Sequence, residues 1–281
     1  MITILRIIIV LIISAFLTSC TDVIDVEVPT TVPRLVIEAS LDWEKGTLGN
    51  EQVIKLSTST PYFDSESTSI VTGASVRVTN DNNGAEFIFI DQNNGEYLTS
   101  NFIPELNKSY TLEIVYNGDT FVAHETLTPV VDITAIYQSL EEGDDEALEV
   151  NVDFNDPVNE ENYYFFKIQE QADVLPTFFD ISDEFTNGNL ISVYNEREED
   201  EDINQVEYTS GDVVNIKFYG ISKRYYNYIG LLIQQYESTG DPFSTTPVAL
   251  KGNCINISHA ENYAFGYFRL TQVVKSSYTF Q

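Results

Sequence analysis

Apolar residues recur at every second position over short stretches of this chain, and that alternation points to its class. Leu35-Val36-Ile37-Glu38-Ala39, Val53-Ile54-Lys55-Leu56, Ala74-Ser75-Val76-Arg77-Val78, Phe87-Ile88-Phe89-Ile90, Tyr110 to Tyr116 and Thr120-Phe121-Val122-Ala123 are short, β-branched or aromatic, and several alternate. A period of two puts successive side chains on opposite faces of a strand. Between them lie Asp81-Asn82-Asn83-Gly84, Asn93-Asn94-Gly95 and Asn117-Gly118-Asp119; Asn and Gly tolerate the positive φ of tight turns. Strands at this spacing predict a small antiparallel β-sandwich, of immunoglobulin or transthyretin type, over residues 34–129.

The pattern changes beyond Pro129. Asp132 to Tyr137 opens the second half, an acidic loop runs from Glu141 to Glu146, Leu148 to Phe154 alternates cleanly, and Tyr163 to Ile168 is apolar enough for a sheet centre. Ser222 to Glu237 (SKRYYNYIGLLIQQYE) has a helical period, with Tyr225, Tyr228, Ile229, Leu232 and Tyr236 on one face and Ser222 as N-cap. Gly240-Asp241-Pro242 would stop it. Ala264 to Leu270, then Gln272 to Tyr278, close the chain as strand. Residues 130–281 are therefore expected to form a β-rich domain with one packed α-helix, at about 222–237.

Neither period describes the start. Ile7 to Leu17 is apolar except for Ser14, follows Arg6 and ends at Leu17-Thr18-Ser19-Cys20. A charged start, a short apolar core and a small-residue exit make a secretory signal peptide; the run is shorter than the roughly twenty residues that span a bilayer. Leu-Thr-Ser-Cys has the spacing of a bacterial lipobox, so residues 1–19 are expected to be cleaved and the Cys20 thiol to carry lipid. Acyl chains contribute about 0.8 kcal/mol per buried methylene, which would anchor the protein to a membrane through Cys20 without spanning it. Residues 20–33 are acidic, carry Pro29 and Pro33, and read as an extended tether.

Composition narrows the partners. The chain has 14 Lys plus Arg against 44 Asp plus Glu, a formal charge of −30, and losing Arg6 with the signal peptide takes it to about −31. Such a field repels nucleic acid and favours solubility, cationic partners or divalent ions. With Cys20 lipidated, Cys254 has no cysteine partner, and packing must hold the fold.

Candidate chemistry is sparse. The sequence offers no nucleophile elbow, phosphate loop, paired metal-ligand histidines or dinucleotide fingerprint, so no enzyme activity, catalytic residue or cofactor is expected. The run Asn195 to Asp202 (NEREEDED) could collect calcium, but a like-charge block is ordinarily a solvated loop. Asn80 to Gly84 suggests a hairpin turn more than a calcium loop. His124 and His259 read as surface histidines, and Cys254 as a small buried hydrophobe.

Taken in order, PRLVIEASL (33–41), TGASVRVTND (72–81), NGEYLTSNF (94–102), KSYTLEIVYNGDTFVAHETLTPVVDI (108–133), NDPVNEENYYFF (155–166), SGDVVNIKFYGISKRYYNYIGLLIQQ (210–235), GDPFSTTPVALKGN (240–253) and AFGYFRL (264–270), behind a lipobox, resemble the Bacteroidota lipoprotein family DUF4249, a domain of unknown function. The resemblance covers nearly all of the mature chain. It implies an outer-membrane lipoprotein, often encoded beside a TonB-dependent receptor of the nutrient-import type, and carries over no catalytic residue. Asn253-Cys254-Ile255-Asn256-Ile257 departs from it, since relatives tend to have an Asn-Gly turn there. Asp22 and Asp25, just after Cys20, loosely fit an acidic surface-export signal. The resulting expectation is a non-enzymatic, surface-facing lipoprotein that serves an outer-membrane β-barrel, such as a TonB-dependent receptor, in nutrient uptake or in outer-membrane protein assembly or secretion. The alternative is a stand-alone binder of a peptide, glycan or calcium, favoured if Tyr163, Tyr164, Phe178 and Phe179 are exposed beside acids.

Overall fold

The alternating positions become buried and exposed faces of strands. The computed structural model describes residues 32–60, 69–140, 147–171, 173–197, 206–238 and 250–281. β1 (Leu35–Glu44) buries Leu35, Ile37, Ala39 and Leu41 and turns Glu38 and Ser40 outward. β2 (Gln52–Thr58), β3 (Ser75–Asn80), β4 (Glu86–Asp91), β5 (Glu96–Thr99), β6 (Ser109–Tyr116) and β7 (Asp119–Thr126) follow. Ile54, Val76, Val78, Leu112, Ile114, Phe121 and Ala123 share one core with β1, and each Val, Leu, Ile or Phe among them contributes about 1.5–3 kcal/mol on burial. At the β6–β7 hairpin, Asn117 (φ 50°) and Gly118 (φ 84°) are both left-handed, as a tight two-residue turn with matching twist requires.

β8 (Ile133–Leu140), β9 (Leu148–Asn155) and β12 (Leu190–Asn195) form a three-stranded sheet in the order β12-β9-β8. It covers one face of β10 (Tyr163–Glu170), β11 (Thr177–Ser182) and β13 (Val213–Ile221), with Val150, Val152, Phe154, Tyr164, Phe166, Ile168, Val214, Ile216 and Phe218 between them. The opposite face of these strands carries α1 (Lys223–Glu237), whose Ser222 cap accepts a hydrogen bond from Tyr225 N at 3.2 Å. Tyr225 and Ile229 are buried as the period predicts, whereas Leu232 is 42% and Tyr236 66% exposed. The sheet thus accepts only the N-terminal part of the apolar stripe. The expected stop at Gly240-Asp241-Pro242 lies outside the described residues.

Strand β14 (Ile255–Asn256) adds to β7, and β15 (Phe265–Thr279) joins the two halves. Its first part pairs in parallel with β1, from Val36↔Phe265 to Glu44↔Val273. From Val273 on, it pairs antiparallel with β13. Twelve strands therefore run continuously as β11-β10-β13-β15-β1-β2-β5-β4-β3-β6-β7-β14, and Pro33–Gln281 is one unit. Along β15, Phe268 and Leu270 face the first core and Val274 and Tyr278 the second. The first core also takes Cys254, Ala264, Phe268 and Leu270 from beyond Pro129, so a boundary there does not divide the cores and β15 serves both.

The seam explains why the sequence of this strand reads as two. Polar residues, Thr271 and Gln272, stand at its centre, yet both are buried: Thr271 Oγ1 donates to Gly220 O at 2.5 Å, and Gln272 Oε1 accepts from Val130 N at 3.3 Å. Thr271 thus binds β13 and Gln272 binds the segment that crosses between the cores, which presses so close to β13 that a Cβ on Gly220 would overlap the Pro129 carbonyl. β5, β11, β12, β13 and β14 are additions to the strands expected from sequence. β5 has only four residues, and β13 directly precedes the helical period, which masks the Val214, Ile216, Phe218 alternation.

Candidate functional site

The charged and aromatic side chains of greatest interest gather on the helix-bearing face. Phe165 from β10, Tyr219 from β13, Tyr267 and Val273 from β15, and Tyr225 and Ile229 from α1 pack as one cluster. Arg269 of β15 lies within it, only 2% exposed. Its Nη2 donates to Asp42 Oδ1 at 2.6 Å and its Nη1 to the Tyr225 hydroxyl at 3.1 Å. The guanidinium also stands 4.9 and 4.8 Å from the ring centres of Tyr219 and Tyr225, within cation–π range. Burial acts against its charge, but Asp42 and the tyrosines outweigh that and hold its pKa above the usual value.

Beside it, Lys167 of β10 places Nζ 5.5–5.7 Å from the rings of Phe178, Phe165 and Tyr219. Burial, followed by the charge of Arg269, pulls its pKa down to about 8. Glu125 of β7 ties the rim together: its Oε2 accepts from the Ser222 hydroxyl at 3.0 Å and from the Tyr267 hydroxyl at 3.2 Å. The N-terminus of α1 is thereby fixed to a strand of the first core. Chemically this is a buried guanidinium held by one carboxylate and the rings of Tyr219 and Tyr225, with the half-buried Lys167 ammonium at its edge.

The sequence-selected residues fall elsewhere. Cys20, the Glu141–Glu146 loop and Glu198 to Asp202 lie outside the described residues. At the start of the acidic run, Asn195 accepts from the Tyr208 hydroxyl at 2.8 Å, and Arg197 pairs with Asp173 at 2.7 Å and Glu170 at 3.6 Å. Asn80 to Gly84 forms the β3–β4 turn, in which Asn82 N donates to Asn80 Oδ1 and Gly84 N to Asn80 O. Among the described residues no group of three or more His, Cys, Asp and Glu side chains is placed to hold a metal ion.

His124 is exposed, with Nδ1 2.8 Å from Thr111 Oγ1. His259 has a structural partner: its Nδ1 is 2.5 Å from Asp119 Oδ1, while Asn262 Nδ2 donates to Asp119 Oδ2 at 2.5 Å. The hydrogen bond to Asp119 raises the pKa of His259, and the same bond lowers that of Asp119. The pair clamps the loop after β14 to the β6–β7 hairpin. Cys254 is buried, and burial pushes its thiol up to about 12, which makes it a packing residue. In the stretch that departs from the family pattern, Asn253 bonds both ways with the Phe268 backbone at 2.8 Å. Tyr164 is buried on Asp156 at 2.6 Å, Phe179 stacks on Phe166, Phe178 on Phe165, and Tyr163 packs on Tyr226. These four aromatics are packing residues, so the condition set for a stand-alone ligand binder is not met by them.

Arg269 and Lys167 do not stand out in the sequence as site residues. A signal is present nonetheless: one basic residue inside an apolar strand, as in YYFFKI and GYFRL, demands a buried partner.

The sequence profile of the family DUF4249, described as "Domain of unknown function (DUF4249)", matches residues 21–277. The chain belongs to the DUF4249 family. No curated protein matches it. Two solved structures are similar to parts of this DUF4249 chain. One holds the FN1–FN3 domains of chicken CNTN1, at 10% identity over 68% of this chain and 62% of that one, with a TM-score of 0.28. The other is a two fibronectin type-III domain segment from chicken tenascin, at 11% identity over 67% of this chain and 90% of that one, with a TM-score of 0.21. The chain spans less than two thirds of the CNTN1 segment. Such overlap is too slight to carry an argument about the fold, which in this chain is β-rich and sandwich-like, with one helix among the described residues, and follows from the strand pairing itself.

Proposed function

We propose that the mature protein is a non-enzymatic lipoprotein held in the outer membrane through Cys20, facing the cell surface, and acting as an accessory binding subunit of a TonB-dependent receptor or another outer-membrane β-barrel. The work it serves is nutrient uptake or the assembly and secretion of outer-membrane proteins. The observation that carries this reading is the order of parts in the sequence: an apolar run ending in Leu17-Thr18-Ser19-Cys20, an acidic segment with two prolines, then a β unit beginning at Pro33. The family match, which starts at residue 21, supports it. A tethered platform holds a binding face near the membrane and raises its effective concentration toward a barrel in the same plane.

Cell fractionation tests the anchor. Wild-type protein is expected in the outer-membrane fraction, labelled with radioactive palmitate and cleaved by protease added to intact cells. The Cys20→Ala variant is expected to carry no label and to leave that fraction almost entirely. Unlabelled wild-type protein in the soluble fraction would overturn the reading.

A further inference from the structure

We propose that the row Lys167, Lys217 and Lys275 on the helix-bearing face is the docking surface for an acidic segment of a partner protein. This rests on the reading above in taking the partner to be a protein. Lys167 pairs directly with Lys217 across β10 and β13, and Lys217 directly with Lys275 across β13 and β15. Direct antiparallel partners point to the same face with their Cβ atoms about 5 Å apart. Three lysine side chains therefore leave the sheet side by side on adjacent strands.

Like charges in that position work against the sheet, and the chain has only 14 basic residues to place among 44 acids. Packing does not require the arrangement. Lys217 is exposed and, among the described residues, has no ion pair or side-chain hydrogen bond. Lys275 meets Glu44 at 2.6 Å, and Lys167 rests against the rings of Phe165, Phe178 and Tyr219. Among the described residues the middle lysine alone of the three has neither an acidic nor an aromatic partner.

Two features select the occupant. The next row, Gln169, Asn215 and Ser277, is polar and in the same register, so the face is a broad hydrogen-bonding surface rather than the enclosed apolar pocket that small molecules favour. The rest of the chain is strongly anionic, so an acidic partner is repelled in most orientations and attracted in this one. Electrostatic complementarity of that kind sets specificity and orientation more than raw affinity.

The test uses the mature chain and a fluorescent peptide of alternating Glu and Thr, with the Gln-for-Glu peptide as control, read by anisotropy at low and physiological salt. Saturable binding of the Glu peptide is expected, weakened at least about tenfold by Lys217→Glu or by the Gln peptide. Lys217→Thr should lose binding while its melting temperature stays level or rises, which a purely structural lysine would not do. Equal affinity of wild type and Lys217→Glu, an absence of saturable binding at low salt, or displacement by inorganic phosphate at equal charge would each overturn the proposal. A barrel partner retained by Lys217→Glu would overturn the row and leave the anchored-subunit reading intact. Row-dependent peptide binding without any co-purifying partner would support the row and count against that reading.

Discussion

Arg269→Ala is expected to destabilise the fold by about 3–5 kcal/mol, because removing one partner of a buried ion pair leaves the other uncompensated. For a chain of this size that corresponds to a fall in melting temperature of roughly 6–20 °C. The guanidinium is the meeting point of β1, β15 and α1 through Asp42 and Tyr225, and alanine would also leave a void against Tyr219. Asp42 keeps 31% side-chain exposure and can recover some hydration, which favours the lower part of the range. The double variant Arg269→Met with Asp42→Asn should regain much of the loss, since a buried pair replaced by apolar packing is often neutral. Thermal and urea denaturation measure both; a loss below about 1 kcal/mol for the single variant would mean that the ion pair does not hold this face together.

The second large effect is at Gly266, where β15 meets β1. Its φ is +90°, and an added Cβ would overlap the carbonyl oxygen of Ile37, its direct partner on β1. Backbone strain and overpacking together are expected to make Gly266→Ala destabilising by about 3–5 kcal/mol. Gly84 is the control: its φ is +73° but nothing lies within 4 Å of an added Cβ, so Gly84→Ala should lose only about 1–2 kcal/mol. Equal losses in chemical denaturation would show that close approach to Ile37 is unimportant.

Local signals in the sequence carry much of the fold. Period-two stretches mark β1, β6 and β7, the last two joined by the Asn117-Gly118 turn, and Ser222 with its stripe of apolar residues marks α1 within a residue at its start. Long-range pairing leaves no such mark. Nothing local says that β15 runs unbroken past Thr271 and Gln272, because burying those polar side chains depends on Gly220 and Val130 from other parts of the chain. The helix stripe overstates burial for the same reason, since the sheet beneath Leu232 and Tyr236 cannot be inferred from the helix.

The candidate face is even less legible. Lys167, Lys217 and Lys275 are far apart in the chain, and only the strand register brings them together. Single basic residues in apolar stretches hint at buried cations but not at a shared row. The His259 and Asp119 pair is likewise a product of tertiary structure, 140 residues apart.

The proposed role, an anchored binding subunit of an outer-membrane β-barrel, is open to test by mild cross-linking and affinity purification of the tagged protein from detergent-solubilised outer membranes of its own host, with mass spectrometry of the eluate and Cys20→Ala as control. The expected result is one barrel protein at near-stoichiometric yield with wild type and absent with Cys20→Ala. Lipidated protein that elutes alone after cross-linking would contradict the claim.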